Sequence, residues 1–198
     1  MPRVGVRFNK IAIGLDELSN DDFVHYVHRH LGNVRYTKKV EHYGKELIES
    51  NFDPDELKRF ILAVCDWGGG ARYGLGDKVI AGNRSEGLQE IFAEVVGFLE
   101  NQPPQLDLAV EEISKVNGLS ISFGSKHLRF LRPDICSVLD SVVSDNLGYN
   151  LNIFGYESYS LDCSKLAKYL EDAEVENPME RNGQWFAADI DMGVFAFL

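Results

Sequence analysis

Apolar side chains recur every three to four residues along much of this chain, which is the spacing of one face of an α-helix. The clearest example is Ser85–Glu100, whose predicted buried face consists of Leu88, Ile91, Phe92, Val95, Val96 and Leu99. Capping and stop signals bound further predicted helices at Phe23–Leu31, about Thr37–Glu49, from Pro54 onward, Leu106–Lys115, up to about Leu131, from near Asp140, Ser164–Glu174 and Gln184–Phe197. The chain is therefore predicted to be mainly α-helical.

Three features interrupt this helical pattern. Arg3–Phe8 alternates polar and apolar residues and, with Ile11–Ile13, predicts a short N-terminal β-ribbon. The glycine-rich stretch 67–83 is predicted to be a loop. Asn101-Gln102-Pro103-Pro104 is the best boundary in the chain. We expect an N-terminal lobe over residues 1–102 and a second lobe over residues 103–198, with one compact domain as the alternative.

The charge of the chain limits the kind of partner it can hold. Its 198 residues carry 20 Lys and Arg against 31 Asp and Glu, a formal net charge of −11 at pH 7. This argues against DNA binding by bulk electrostatic attraction, because polyanion-binding proteins usually present a basic face. The acidity is concentrated in residues 151–198, which hold three basic and nine acidic side chains. Lys126, Arg129 and Arg132 are predicted to form either a solvated face or a DNA contact.

Cysteine usage and the absence of an apolar segment indicate the compartment. No stretch approaches the roughly 20 apolar residues of a membrane span, and Met1-Pro2-Arg3 does not lead into a signal-peptide segment. We expect a cytoplasmic, nucleoid-associated monomer with no membrane partner. The widely spaced Cys65, Cys136 and Cys163 form no C-x-x-C pair and are expected to be reduced and mostly buried.

A very short turn containing a glycine joins two of the predicted helices. Its sequence is Val116-Asn117-Gly118-Leu119-Ser120, in which apolar residues alternate with a glycine and a small residue. The turn resembles the helix-hairpin-helix motif, whose usual sequence is Leu-Pro-Gly-Val-Gly. Asn117 replaces the proline and Ser120 replaces the second glycine, so this is a degenerate form of the motif.

The distance from this turn to a downstream aspartate strengthens the resemblance. Val138-Leu139-Asp140-Ser141-Val142-Val143 looks like the catalytic-aspartate segment of the helix-hairpin-helix DNA glycosylase superfamily. Val116 to Asp140 spans 25 residues. This is the length of the corresponding stretch in endonuclease III and the mismatch adenine glycosylases, so the resemblance needs no gap. Gly124-Ser125-Lys126 and Pro133-Asp134 resemble the 8-oxoguanine-glycosylase-like bacterial members.

The resemblance implies a two-lobed helical fold and base excision from double-stranded DNA. Such an enzyme flips a damaged or modified base and hydrolyses its N-glycosidic bond, leaving an abasic site. Asp140 would stabilise the positive charge that develops on the sugar and orient or deprotonate the attacking water. Gly118, Ser120, Ser122 and Lys126 would bind the DNA backbone, mainly through N–H groups of the turn and the following helix.

The same alignment bears on lyase activity. It places Ser122 where the lyase-competent members carry their nucleophilic lysine, which implies a monofunctional enzyme. Lys126 lies one helical turn further along the same face. Lyase chemistry through a Schiff base on Lys126 is therefore the alternative.

Aromatic and acidic residues at two other places are candidates for the base pocket. Trp67, Arg72 and Tyr73 lie at the predicted loop and suit a stacked base, although packing in the core competes as an explanation for Trp67. Asp189 and Asp191 interrupt an apolar C-terminal helix, the element that helps to form the base pocket in several glycosylases of this superfamily.

No cofactor or metal is expected, and the four-cysteine iron–sulfur cluster of some members is absent. His25, His28 and His30 crowd one helical turn without Cys or Glu at a ligand spacing, so a metal-dependent hydrolase is only a third hypothesis. The second is a non-catalytic helix-hairpin-helix module that binds DNA or a protein, with Asp140 acting only as a helix cap. The excised base also stays open: an oxidised purine points to DNA repair, a hypermodified phage base to anti-phage defence.

Overall fold

The computed structural model describes residues 20–30 and 34–198, within which the chain forms ten α-helices, one 3-10 helix and no strand. The α-helices are α1 (Asn20–His30), α2 (Val34–Glu49), α3 (Pro54–Trp67), α4 (Leu75–Gly82), α5 (Ser85–Glu100), α6 (Leu106–Ile113), α7 (Ile121–Leu131), α8 (Ser141–Leu147), α9 (Ile153–Asp172) and α10 (Ala187–Phe197). The 3-10 helix Gly70–Tyr73 lies between α3 and α4. The predicted mainly α-helical class is confirmed, whereas the predicted β-ribbon lies outside the described residues.

Capping chemistry sets several helix boundaries where the sequence predicts them. The helix α5 spans the predicted Ser85–Glu100. Asp53 caps α3, because its side chain accepts hydrogen bonds from the backbone N–H groups of Asp55 and Glu56 at 2.9 and 3.3 Å. Proline at the first position of α3 fits the same geometry. Local signals of this kind do not depend on the rest of the fold.

The predicted loop 67–83 is wrong, because this stretch contains the 3-10 helix and the whole of α4. Its glycines permit close packing rather than preventing helix formation. A Cβ atom added at Gly76 would lie 2.9 Å from a side-chain carbon of Leu62 on α3. Gly76 therefore lets α4 pack directly against α3, and Val79 on α4 is fully buried.

The C-terminal helices also differ in length from the prediction. The helix α9 begins at Ile153 rather than Ser164, with Asn152 accepting a hydrogen bond from the N–H of Gly155 at 2.9 Å. Polar and aromatic residues such as Tyr156 and Ser160 are buried along its N-terminal half, which hides the helical periodicity. The helix α10 begins at Ala187, three residues later than predicted.

The helix α7 lies at the centre of the molecule. All of its residues from Gly124 to Leu131 are buried, and it packs against α2, α3, α6 and α9. The approach of α2 is very close, since a Cβ atom added at Gly44 would clash with the carbonyl oxygen of Phe130. Any side chain on α7 that reaches a pocket is therefore held by a rigid, fully packed helix.

The burial of α7 corrects the prediction of a basic surface on it. Arg129 is fully buried, and its Nη1 atom donates to Oε1 of Glu41 at 2.9 Å. Arg132 is half-buried and paired with Asp134 at 2.7 Å. Arg129 therefore belongs neither to a solvated face nor to a DNA-contacting surface, and the prediction is wrong for this residue.

All three cysteines of the chain lie in the protein interior. The three cysteines are buried and free of disulfides, as predicted. Among residues 20–30 and 34–198, no helix is long and apolar enough to cross a lipid bilayer.

Candidate functional site

The connection between α6 and α7 is a tight turn stabilised by a neighbouring helix end. Gly118 has a φ of 97°, a left-handed value that favours glycine, and a Cβ atom there would lie 3.1 Å from the side chain of Val79. Asn83 clamps the turn from α4: its side chain donates to the carbonyl of Asn117 and accepts from the N–H of Asn117, both at 3.0 Å. The predicted hairpin turn is thus part of a packed unit rather than a free loop.

The residues predicted to bind DNA lie in two places, at the surface turn and inside the site. Gly118 and Ser120 are exposed, and within the part of the chain that the structure describes their backbone N–H groups have no hydrogen-bond partner. Ser122 is half-buried in the first turn of α7, and Lys126 is buried one turn further along. The turn therefore offers free donors at the surface, whereas Lys126 belongs to the interior of the site.

The two carboxylate oxygens of Asp140 make different contacts. It is the N-cap of α8, where Oδ1 accepts from the backbone N–H groups of Val142 and Val143 at 3.1 and 3.3 Å. Its other oxygen, Oδ2, lies 3.4 Å from the Nζ atom of Lys126. Capping and a chemical role are compatible, because they use different oxygens of the same carboxylate.

The amine of Lys126 is held inside the protein by short-range contacts. Its Nζ atom lies 3.3 Å from the carbonyl oxygen and 3.4 Å from Oγ of Ser122, and 5.1 Å from the ring centre of Phe123. The side chain is 9% exposed. Burial lowers the pKa of Lys126 below its ordinary value of 10.5, although the Asp140 carboxylate partly offsets this effect.

These two side chains line a pocket of about 270 Å³. Its walls come from the end of α3, from α7, from the extended segment before α8 and from α10. The remaining lining residues are Trp67, Gly68, Val138, Asp191, Met192 and Phe195. An amine, a carboxylate and aromatic rings therefore meet in one cavity.

Trp67 has both predicted roles, as part of the pocket wall and as part of the packed core. It lines the pocket, and its ring packs edge-on against Phe130 with 4.9 Å between ring centres. Its Nε1 atom donates to Oγ1 of Thr37 at 2.9 Å. The indole is therefore fixed in orientation, as a stacking surface for a ligand needs to be.

Asp191 is buried in the opposite wall of the pocket. Its Oδ1 atom accepts a hydrogen bond from the hydroxyl of Tyr159 at 2.8 Å. Burial raises the pKa of Asp191 to about 7, although the Tyr159 hydroxyl and the Arg129 charge both oppose that rise. This carboxyl is present in both charge states near neutral pH.

Three of the predicted pocket residues do not line this pocket. Arg72 and Tyr73 are exposed on the 3-10 helix, and Tyr73 is 71% exposed. Asp189 is fully buried and paired with Arg181, and its Oδ2 atom accepts from the backbone N–H of Phe186 at the start of α10. The carboxylate of Asp189 is therefore bound to these partners, whereas Asp191 lines the pocket.

Four lining residues were not identified from the sequence: Gly68, Val138, Met192 and Phe195. Phe195 lies four residues after Asp191 and thus on the same face of α10, a signal the sequence does contain. Gly68 acts through its lack of a side chain, since a Cβ atom there would lie 2.8 Å from Cδ of Lys126. No pattern in the sequence indicates that approach.

The arrangement is suited to nucleophilic and electrostatic chemistry. A buried amine with a lowered pKa is a nucleophile, and a carboxylate beside it can stabilise positive charge. Among the described residues, no group of three or more His, Cys, Asp or Glu side chains is placed to hold a metal ion. His25 and His28 are exposed on α1.

Comparison of this chain with protein-family models, with curated proteins and with solved structures finds no match.

Proposed function

We propose that this protein is a DNA N-glycosylase that flips a damaged or modified base into the pocket and breaks its bond to the sugar. The observation that carries the proposal is the pairing of Lys126 with Asp140 at 3.4 Å in the wall of a cavity large enough for one nucleobase. Cleavage of an N-glycosidic bond builds positive charge on the sugar, and a carboxylate at this position stabilises it.

The turn between α6 and α7 supports the same proposal as a helix-hairpin-helix motif. Its exposed N–H groups at Gly118 and Ser120 are suited to a DNA phosphate, with the N-terminus of α7 behind them. This contact requires no basic side chain, so it is compatible with the net charge of −11. Binding is expected to be modest in affinity and to weaken as salt concentration rises.

The position of Lys126 favours its amine over water as the nucleophile, and hence lyase competence over the monofunctional mechanism. Ser122 and Lys126 converge, with 3.4 Å between Oγ and Nζ, so the amine occupies the region that the sequence alignment assigns to residue 122. In the amine route Nζ bonds to C1′ while the C1′–N bond breaks and its electron pair leaves with the base. One proton of the amine then passes to the departing base and the other to O4′ as the C1′–O4′ bond breaks, which opens the sugar ring and gives a Schiff base.

A panel of duplexes with oxidised, alkylated, mismatched and hypermodified bases tests the proposal. Alkali after incubation reveals abasic sites, and strand cleavage without alkali reveals lyase activity. Sodium borohydride reduces a Schiff base to a permanent protein–DNA bond, which we expect for wild type and not for Lys126→Ala. Lys168→Ala, which removes an exposed lysine on α9, is the control and should trap like wild type.

The results separate the alternatives. Base release without any borohydride adduct contradicts the amine route and leaves hydrolysis by water. Duplex binding without base release from any substrate contradicts the glycosylase proposal and supports a non-catalytic binding module. The identity of the base released, oxidised purine or phage modification, distinguishes a role in repair from one in defence.

A further inference from the structure

Asp191 forms part of the pocket wall but has no role in the chemistry proposed for Lys126 and Asp140. It lies on α10, is 4% exposed, and lines the same cavity as those two residues. A buried carboxyl beside a ligand cavity is costly unless something binds it. Two partners are provided within the protein: the Tyr159 hydroxyl at 2.8 Å and the backbone N–H of Val138.

Charged and titratable groups on α7, α8 and α9 lie around this carboxyl. They are Tyr156, Tyr159 and Cys163 on α9, Arg129 and Lys126 on α7, and Asp140 at the start of α8, with the backbone N–H of Val138 beside them. Arg129 is already paired with Glu41, and Lys126 with Asp140. Neither cation is dedicated to Asp191, and the Asp140 carboxylate disfavours a second negative charge nearby.

The hydroxyl of Tyr159 determines which oxygen of Asp191 a ligand can use. It donates to Oδ1, which leaves Oδ2 as the oxygen that can carry the proton of a neutral Asp191. The neutral form is then a hydrogen-bond donor toward a ligand, and the ionised form is an acceptor. A base entering the pocket displaces water and thereby favours the neutral form further.

We propose that Asp191 selects the base: its neutral carboxyl donates a hydrogen bond from Oδ2 to a ring nitrogen or carbonyl oxygen of the flipped base. Bases that present an acceptor at this position are bound, and bases that present an N–H there are disfavoured. This inference rests on the proposed function, because it assumes that a nucleobase occupies the pocket. Tyr159 is a positioning residue, since it acts through Asp191.

Binding of a base whose polar atoms are all acceptors tests this role without requiring catalysis. The probe is 1,9-dimethylhypoxanthine, which has no N–H group, and its affinity for the full chain is measured by saturation-transfer NMR from pH 5.5 to 8.5. For wild type we expect affinity to fall about tenfold for each pH unit above about 7, as Asp191 loses its proton.

Two variants assign the pH dependence to this carboxyl. Asp191→Asn keeps a donor at every pH, so its affinity should not change with pH. Tyr159→Phe removes a hydrogen bond that favours the ionised form, so the fall in affinity should shift to higher pH. A merely structural role for Tyr159 would weaken binding equally at all pH values. Near-UV circular dichroism checks that both variants are folded.

The failure of this inference is distinguishable from failure of the proposed function. The role of Asp191 is overturned if wild-type affinity does not depend on pH or rises with pH. It is also overturned if Asp191→Asn keeps the wild-type pH dependence, or if the probe does not bind. If duplex substrates still release a base, the glycosylase proposal survives that result. If the probe binds as expected while no duplex releases a base, the pocket binds bases and the glycosylase proposal is wrong.

Discussion

The Nζ atom of Lys126 lies 3.4 Å from Oδ2 of Asp140, while Oδ1 of the same carboxylate caps α8. One side chain therefore joins a helix start to a buried amine across 14 positions of the sequence. The cap fixes the rotamer of Asp140, and the packed helix α7 fixes Lys126. Such preorganisation is what electrostatic stabilisation of a transition state requires.

The two oxygens of Asp140 predict separable effects on stability and activity. Asp140→Asn and Asp140→Ala both remove the charge beside Lys126, but asparagine still caps a helix and alanine does not. We expect Asp140→Ala to be about 1 kcal/mol less stable than Asp140→Asn. Urea denaturation of the two variants measures this difference. Equal stability would show that the hydrogen bonds to Val142 and Val143 contribute nothing.

The amine of Lys126 should titrate below ordinary lysines, because burial lowers its pKa. Reductive methylation as a function of pH, followed by mass spectrometry of the peptides, compares Lys126 with the exposed Lys168. Lys126 should reach its half-maximal rate at lower pH, and Asp140→Asn should lower that pH again, since the carboxylate favours the charged amine. Identical pH profiles for the two lysines would contradict this interpretation.

His127 predicts a specific acid sensitivity of the fold. Its ring is fully buried, Nδ1 donates to the carbonyl of Phe123 at 2.7 Å, and burial lowers its pKa from 6.5 to about 4. The unfolded chain therefore binds a proton that the folded chain does not. This group contributes stability that is fully present above pH 6.5 and is lost as pH falls toward 4, by up to about 3 kcal/mol.

Denaturation at pH 7, 5.5 and 4.5 measures this loss. His127→Gln should flatten the dependence of the unfolding free energy on pH over that interval, because glutamine does not titrate. His42→Gln, a change at an exposed histidine on α2, is the control. If both variants keep the wild-type slope, His127 is not the group responsible.

The contact between α2 and α7 predicts opposite effects for two glycine substitutions. Gly44→Ala places a methyl group against the carbonyl of Phe130 and should destabilise the protein by about 1–3 kcal/mol. Gly97 lies in α5 with open space around it, so Gly97→Ala should stabilise by about 0.5–1 kcal/mol. Thermal or chemical denaturation gives both values. Equal effects would contradict the tight approach of α2 to α7.

Local signals explain why much of this fold follows from the sequence. The helix α5 has a clean apolar face bounded by polar ends, and Asp140 followed by Ser-Val-Val is a helix start whatever surrounds it. The helix α4 and the first half of α9 were missed because tertiary packing decides them. Gly76 fits against Leu62, and the buried residues of α9 include Tyr156 and Ser160, so neither segment shows the expected apolar periodicity.

The candidate site, like the fold, can be predicted only in part from local sequence. The sequence identifies Asp140, Lys126, Trp67 and Asp191, because their residue types and spacing carry chemistry. It fails to exclude Arg72, Tyr73 and Asp189, since their exposure and ion pairing depend on the assembled fold. Asp189 and Asp191 illustrate this limit: they are two positions apart on one helix, and only the structure shows which of them faces the cavity.

The central claim is that the carboxylate of Asp140 promotes cleavage of the bond between base and sugar by stabilising the positive charge that develops on the sugar. Single-turnover base release by wild type and by Asp140→Asn, on whichever duplex the panel identifies, tests it most directly. We expect the variant to bind that duplex as tightly as wild type and to release the base about 100–1,000 times more slowly. Release at the wild-type rate by Asp140→Asn would contradict the claim.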